Sequence, residues 1–138
     1  LSSRWRRWLG TNIVNASSVI AVIDDDASVR LALQSLLRSF GYEVMLFPSA
    51  MAFLDAPERH EPDCIISDVQ MPQMSGPDLQ DQLASDGDRV PMIFITAFPE
   101  KAIEARVIER GAVAILSKPF DGNEIAAHVE RALGSAPH

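Results

Sequence analysis

The sequence predicts an α/β fold, a doubly wound (βα)5 sandwich on a five-stranded parallel sheet. Three observations predict it. Five short apolar runs alternate along residues 19–134 with five segments of helical apolar spacing. Most of the runs are continuous rather than alternating, as in strands buried on both faces. The helical segments carry start and stop signals, so each is a crossover, and right-handed βαβ crossovers generate a parallel sheet. A chain of 138 residues, 47% hydrophobic, suits one such domain.

The elements follow in order. Val19-Ile20-Ala21-Val22-Ile23 is a β-branched run ending at three aspartates. Residues 27–40 place Val29, Leu33, Leu36, Leu37 and Phe40 at helical spacing, with Asp26 as N-cap and Gly41 as stop. Residues 43–47 form a second strand, and Ser49 caps a short helix carrying Ala52, Phe53 and Leu54. The third strand is expected at 63–67, with a helix over 77–84 opened by Pro77. A fourth strand at 90–95 precedes a helix over 100–110 that Gly111 stops. The fifth strand is expected at 113–116. The last helix, over 121–133, keeps Ile125, Val129, Ala132 and Leu133 on one face.

Composition excludes several function classes. The net charge of −7 argues against gripping nucleic acid by its phosphates. One cysteine, Cys64, excludes a disulfide framework and any multi-cysteine zinc site; it reads as inert core. His60, His128 and His138 share no ligand spacing. No apolar run is long enough to span a bilayer, so a cytoplasmic location without membrane contact is expected. Residues 1–18 hold three arginines, two tryptophans and no acid, and they read as a disordered or artificial tail. The domain then occupies 19–134, and 135–138 is a tail or the start of a linker.

In an open α/β sheet the site lies beyond the carboxyl ends of the strands. Strand one ends in Asp24-Asp25-Asp26, strand three in Asp68, strand four in Thr96 and strand five in Lys118. Converging carboxylates repel one another, and a hard cation such as Mg²⁺ relieves that repulsion through oxygen ligands. A lysine and a hydroxyl suit the oxygens of a phosphoryl group. No glycine-rich phosphate loop is present, so a nucleotide is not expected and the natural acceptor is a carboxylate.

These residues lie in segments that can be compared with a known family: Val22 to Asp26, Ile66 to Pro72, Met74-Ser75-Gly76, Phe94 to Ala97, Gly111-Ala112 and Lys118-Pro119-Phe120. In this order the chain resembles the receiver domain of two-component response regulators, especially receivers of the FixJ kind. The resemblance implies the flavodoxin- or CheY-like fold and a phosphorylation switch. Asp68 would be the phosphoryl acceptor; Asp24, Asp25, Asp68 and the backbone carbonyl of Gln70 would hold Mg²⁺. Thr96 would bond the phosphoryl group and move toward it, and Lys118 would pair with Asp68 or its phosphate. The domain would catalyse only its own phosphorylation and dephosphorylation. The implied partners are a sensor histidine kinase and, on phosphorylation, a second copy. The face of helix four, strand five and helix five would do the pairing, with Ala102, Ile103 and Val107 as exposed apolar contacts. Output would pass through a missing transcriptional domain, or the protein would act alone. The resemblance also implies a cis bond at Lys118-Pro119, and Gln70 and Phe98 would tune hydrolysis.

One residue departs from the pattern. Ile115 stands where many receivers place an aromatic that swings with the threonine, and a β-branched side chain cannot present a ring. Three consequences stay open: a switch through Thr96 alone, a different output surface, or a domain resting partly in its active shape. Ile115 also favours the alternative of a phosphorylation-independent interaction module. A third reading, an Mg²⁺ phosphatase using Asp24 and Asp26, lacks sequence for a substrate cap.

Overall fold

The structure is a computed structural model that describes residues 17–135; the expectations for the first sixteen residues and for 136–138 lie outside them. Five strands and five helices alternate. They are β1 (Val19–Ile23), α1 (Ala27–Ser39), β2 (Glu43–Phe47), α2 (Ala50–Asp55), β3 (Cys64–Asp68), α3 (Gly76–Ser85), β4 (Met92–Thr96), α4 (Lys101–Glu109), β5 (Ala114–Ser117) and α5 (Gly122–Ser135). All pairings are parallel, in the order β2-β1-β3-β4-β5. The fold is the expected doubly wound (βα)5 sandwich.

The burial of each strand follows its place in that order. β1, β3 and β4 are buried at every position, because helices cover both faces of the sheet centre. The edge strands β2 and β5 are only partly covered. Side chains alternate across the sheet and build two cores. Ala21, Ile23, Ile65 and Phe94 pack with Phe53 of α2, Leu79 and Leu83 of α3 and Val107 of α4. Ile20, Val22, Ile66, Ile93 and Ile95 pack with Leu33 and Leu37 of α1 and Ile125, Val129 and Ala132 of α5. Burying each large aliphatic side chain contributes about 1.5–3 kcal/mol, so these layers fix the strand ends relative to one another.

Several boundaries move by a residue or two, for local reasons. β4 begins at Met92 because Pro91 has no N–H for the ladder, although its carbonyl accepts from Ile65. Glu100 and Arg110 cap α4 rather than belonging to it, and Asp121 precedes α5 with its carboxylate accepting from the Asn123 N–H at 2.8 Å. β3 runs one residue later than expected, so Asp68 is its last residue. Two packing expectations are corrected. Phe40, placed on the core stripe of α1, is the C-cap and half exposed, since the chain turns away at Gly41 with φ +90°. Val107, expected on an exposed face, is fully buried, while Ala102 is exposed, Ile103 half-buried and Ile108 the large exposed apolar residue of α4. One residue along a helix rotates the side chain by about 100°, which exchanges the two faces.

Candidate functional site

The carboxyl ends of β1 and β3 are neighbours, with Ile23 opposite Ser67. Asp24 follows the first strand and Asp68 ends the second, so their carboxylates meet where the crossovers diverge to opposite faces. Carboxylate oxygens of Asp24, Asp25 and Asp68 all lie within 4.8 Å of one another. Asp24 and Asp68 are buried and Asp25 is exposed. The buried pair are the fixed floor of the site and Asp25 is its rim.

The local chain holds Asp24 firmly. Its N–H donates to the Phe47 carbonyl at 3.1 Å, and its Oδ1 accepts from the Asp26 N–H at 2.9 Å. Arg30 Nη1 donates to its carbonyl at 2.6 Å. Asp26 plays the capping part expected of it: its carboxylate accepts from the N–H and hydroxyl of Ser28 and so turns away from the cluster. That disposes of the Asp24–Asp26 pairing which a phosphatase reading needs.

Lys118 reaches in from the end of β5. Its Nζ is 3.1 Å from Asp24 Oδ2 and 3.4 Å from Asp68 Oδ1. Those two oxygens are buried, and the one ammonium serves both of them as charge and as hydrogen-bond donor. Burial pushes the Asp68 carboxyl up to about 6, with the neighbouring Asp24 charge adding to it and Lys118 opposing it. Burial also raises Asp24, against the Asp26 N–H and Lys118. Burial works against the Lys118 charge, but the two carboxylates outweigh it and hold its pKa above the ordinary value. Two under-satisfied buried carboxylate oxygens with a third carboxylate within reach are a donor set for a hard divalent cation, and Mg²⁺ fits it.

Thr96 is the last residue of β4, 2% exposed. Its hydroxyl donates to Gln70 Oε1 at 3.0 Å and accepts from the Phe98 N–H at 3.1 Å. The Lys118-Pro119 bond is cis, as expected. The loop after Asp68 folds back through Gln73 at φ +71°, and the Gly76 N–H donates to the Val69 carbonyl. Gly76 is there because nothing larger fits: a Cβ would sit 2.3 Å from the Asp68 carbonyl oxygen.

The structure therefore brings Asp24, Asp25, Asp68 and Lys118 together, with Thr96 at the adjacent strand end. The sequence reading missed two contacts. The Gln70 side chain, expected to flank the site and tune hydrolysis, bonds Thr96 itself, a contact the sequence did not indicate; Arg30 supports Asp24 from one turn into α1. Neither carries a sequence signal beyond its distance from a strand end. Cys64 is buried and its thiol is pushed up to about 12 by burial, as an inert core residue requires. Ile115 lies beside Phe94 in the ladder, half-buried against the core that contains Phe94.

Among the described residues no helix is long and apolar enough to cross a membrane. A model of the response regulator receiver domain matches residues 20–130. The response regulator protein TodT of Pseudomonas putida is 42% identical over 121 residues, covering 88% of this chain and 53% of TodT. The transcriptional regulatory protein FixJ of Bradyrhizobium diazoefficiens is 37% identical, over 85% of this chain and 57% of FixJ. The solved structure of the response regulator StyR superposes with a TM-score of 0.80 and 39% identity, over 86% of this chain and 60% of that one. The chain thus spans about half the length of the curated relatives it matches. On the family match and these identities, the chain belongs to the response regulator receiver family.

Proposed function

We propose that this domain accepts a phosphoryl group on Asp68 from a sensor histidine kinase and acts as a phosphorylation-dependent switch. The observation that carries the reading is the Asp68 carboxylate itself. It is buried at a strand end, it is faced by two carboxylates, and one ammonium, 3.4 Å from its Oδ1, is shared with Asp24. A buried carboxylate that shares a single ammonium with its neighbour keeps lone pairs for an electrophile. An Asp68 oxygen would form the new P–O bond as the P–N bond of the phosphohistidine breaks and the imidazole leaves in line.

Each neighbour then has a part. Asp24, Asp25, Asp68 and the Gln70 backbone carbonyl would hold Mg²⁺, which when bound neutralises the carboxylate repulsion and the charge of the phosphoryl oxygens. Lys118, already 3.4 Å from Asp68 Oδ1, would pair with a phosphoryl oxygen. Thr96 would donate its hydroxyl to another. The added charge of about −1.5 to −2 would then bias the loop after β4 and the face of α4, β5 and α5. Hydrolysis of the acyl phosphate by water would reset the domain.

Beyond the switch, a transcriptional output through a segment outside this chain is supported by the name of FixJ and by the half-length match to it. A phosphorylation-dependent second copy on the α4-β5-α5 face is the output within this domain, with Ile108 rather than Val107 as its apolar contact. A cytoplasmic setting follows from the kinase partner. Ile115 favours one second reading, a receiver-fold interaction module that binds its partner without phosphorylation.

The test is intact mass after incubation with Mg²⁺ and acetyl phosphate. We expect one phosphoryl adduct, lost with EDTA and absent in Asp68→Asn. An unmodified wild type that also fails to bind Mg²⁺ would sink the switch and leave the interaction module.

A further inference from the structure

We infer that the Gln70 side chain is a latch holding Thr96 in the resting position, and that phosphorylation must break it. The inference rests on the acceptor reading above and deepens it. A hydroxyl has one proton to donate. In this structure the Thr96 proton goes to Gln70 Oε1 at 3.0 Å, and a Thr96 lone pair takes the Phe98 N–H at 3.1 Å. A phosphoryl oxygen on Asp68 can receive that proton only if Gln70 gives it up. Gln70 and the phosphoryl group therefore compete for one donor, and Gln70 is a positioning residue for the switch.

Three features make the competition real. Thr96 is 2% exposed, so water cannot serve its hydroxyl freely and the bond to Gln70 is its main polar outlet. Gln70 is only half-buried and borders an open cleft with Met71, Pro72, Ile103 and Arg106, which gives its amide somewhere to go when released. The same Thr96 oxygen holds the Phe98 N–H, so a χ1 rotation that carries this oxygen toward a phosphoryl group would also release the loop that leads into α4. Ile115 cannot swing in as a ring, so in this chain the Gln70 bond supplies a resting-state restraint that does not depend on an aromatic at that position.

The experiment measures affinity for beryllofluoride, a tetrahedral phosphoryl mimic, in Mg²⁺ buffer by titration calorimetry. Six proteins are compared: wild type, Thr96→Val and Thr96→Ser, each with and without Gln70→Met. Methionine keeps the length of glutamine and removes the acceptor. We expect Gln70→Met to bind about fivefold tighter than wild type, the equivalent of about 1 kcal/mol for one neutral hydrogen bond. The gain should vanish in the Thr96→Val background and persist with Thr96→Ser, which keeps a hydroxyl if valine disturbs the strand end. Equal or weaker binding by Gln70→Met overturns the latch. So does a gain that survives Thr96→Val, because Gln70 would then act through another group. If even wild type fails to bind, the acceptor reading falls, and the latch is judged without ligand. Scalar couplings of Thr96 in metal-free protein should report one χ1 rotamer in wild type and averaging in Gln70→Met; an unaveraged Gln70→Met overturns it.

Discussion

Four of the five helices begin on a side-chain cap, and the fifth does not. Asp26 caps α1, Ser49 caps α2, Ser75 caps α3 and Asp121 accepts from the first turn of α5. At α4 the N-cap is Glu100, extended and without a side-chain hydrogen bond. That helix follows the loop from Thr96, whose exposed residues include Phe98 at 71%. Its other end is tied down. Gln80 of α3 donates to the Val107 carbonyl at 3.0 Å, and Arg106 meets Asp81 at 2.8 Å and Asp78 at 3.2 Å. The carboxylates thus sit on a fixed half of the molecule, built from β1, β3 and capped α1 and α3. The threonine ends a fully buried strand, but the helix that follows it is fastened at one end only. The proposed switch would use both kinds of support, one to hold charge and the other to respond to it.

The largest expected effect breaks the fixed half. Gly76→Ala puts a methyl 2.3 Å from the Asp68 carbonyl oxygen and 3.0 Å from the Phe94 ring. One contact is backbone and the other a buried ring, so neither yields easily. We expect a loss of about 3 kcal/mol in urea unfolding, at the upper end for an overpacked site. A loss below about 1 kcal/mol would mean that the loop after β3 is not held as tightly as α3's cap suggests.

A second effect concerns charge in that half. Asp68 has a folded pKa of about 6, above its ordinary value of 3.8. A raised folded value means its contribution to stability is complete below about 3.8 and is lost as pH climbs through 6. In EDTA, wild type should therefore lose roughly 2 kcal/mol relative to Asp68→Asn between pH 4 and pH 7. Asp24 shifts in the same direction, whereas Asp78 and Asp81, lowered on balance by their arginines, change only below that window. Thermal melts of the two proteins across pH check this. Parallel melting curves would show that Lys118 fully offsets the burial of Asp68. Millimolar Mg²⁺ should restore wild type at pH 7 by binding only the folded state.

The strand ends were legible in both halves, Thr96 of β4 and Lys118 after β5 included. Continuous runs such as Val19–Ile23 mark buried strands, and the strand-end rule then places Asp24, Asp68 and Lys118 without knowledge of any side-chain rotamer. Caps are local, so Asp26 and Ser49 could be read from their neighbours alone. What the sequence did not carry depends on rotamers and on small rotations. Asp24 and Asp25 look alike in sequence, yet one is fully buried and the other exposed, because the chain leaves the sheet between them. Val107, expected exposed, is buried while its neighbour Ile108 is exposed, a difference of one residue of helix phase. The Gln70–Thr96 bond joins the loop after β3 to the end of β4, 26 residues on, through a side chain with three rotatable bonds, and no periodicity encodes it.

The two smallest effects compare the caps directly. Asp26→Ala removes the acceptor for the Ser28 N–H and should cost about 1 kcal/mol in urea unfolding. Glu100→Ser does the reverse at α4. Glu100 already has φ −135° and ψ 130°, the extended backbone an N-cap needs, so serine can bond a first-turn N–H without moving the chain. We expect a gain of about 0.5–1 kcal/mol, since a first-turn N–H of α4 acquires a side-chain acceptor that Glu100 does not supply. The same variant should bind beryllofluoride more weakly, because a helix start fastened in its resting place resists the displacement that freeing Phe98 from Thr96 allows. A gain in stability with unchanged binding would separate the two. It would place the moving part in the four residues between Thr96 and the helix and leave α4 itself fixed, so that the asymmetry of its ends would be a matter of folding and not of signalling.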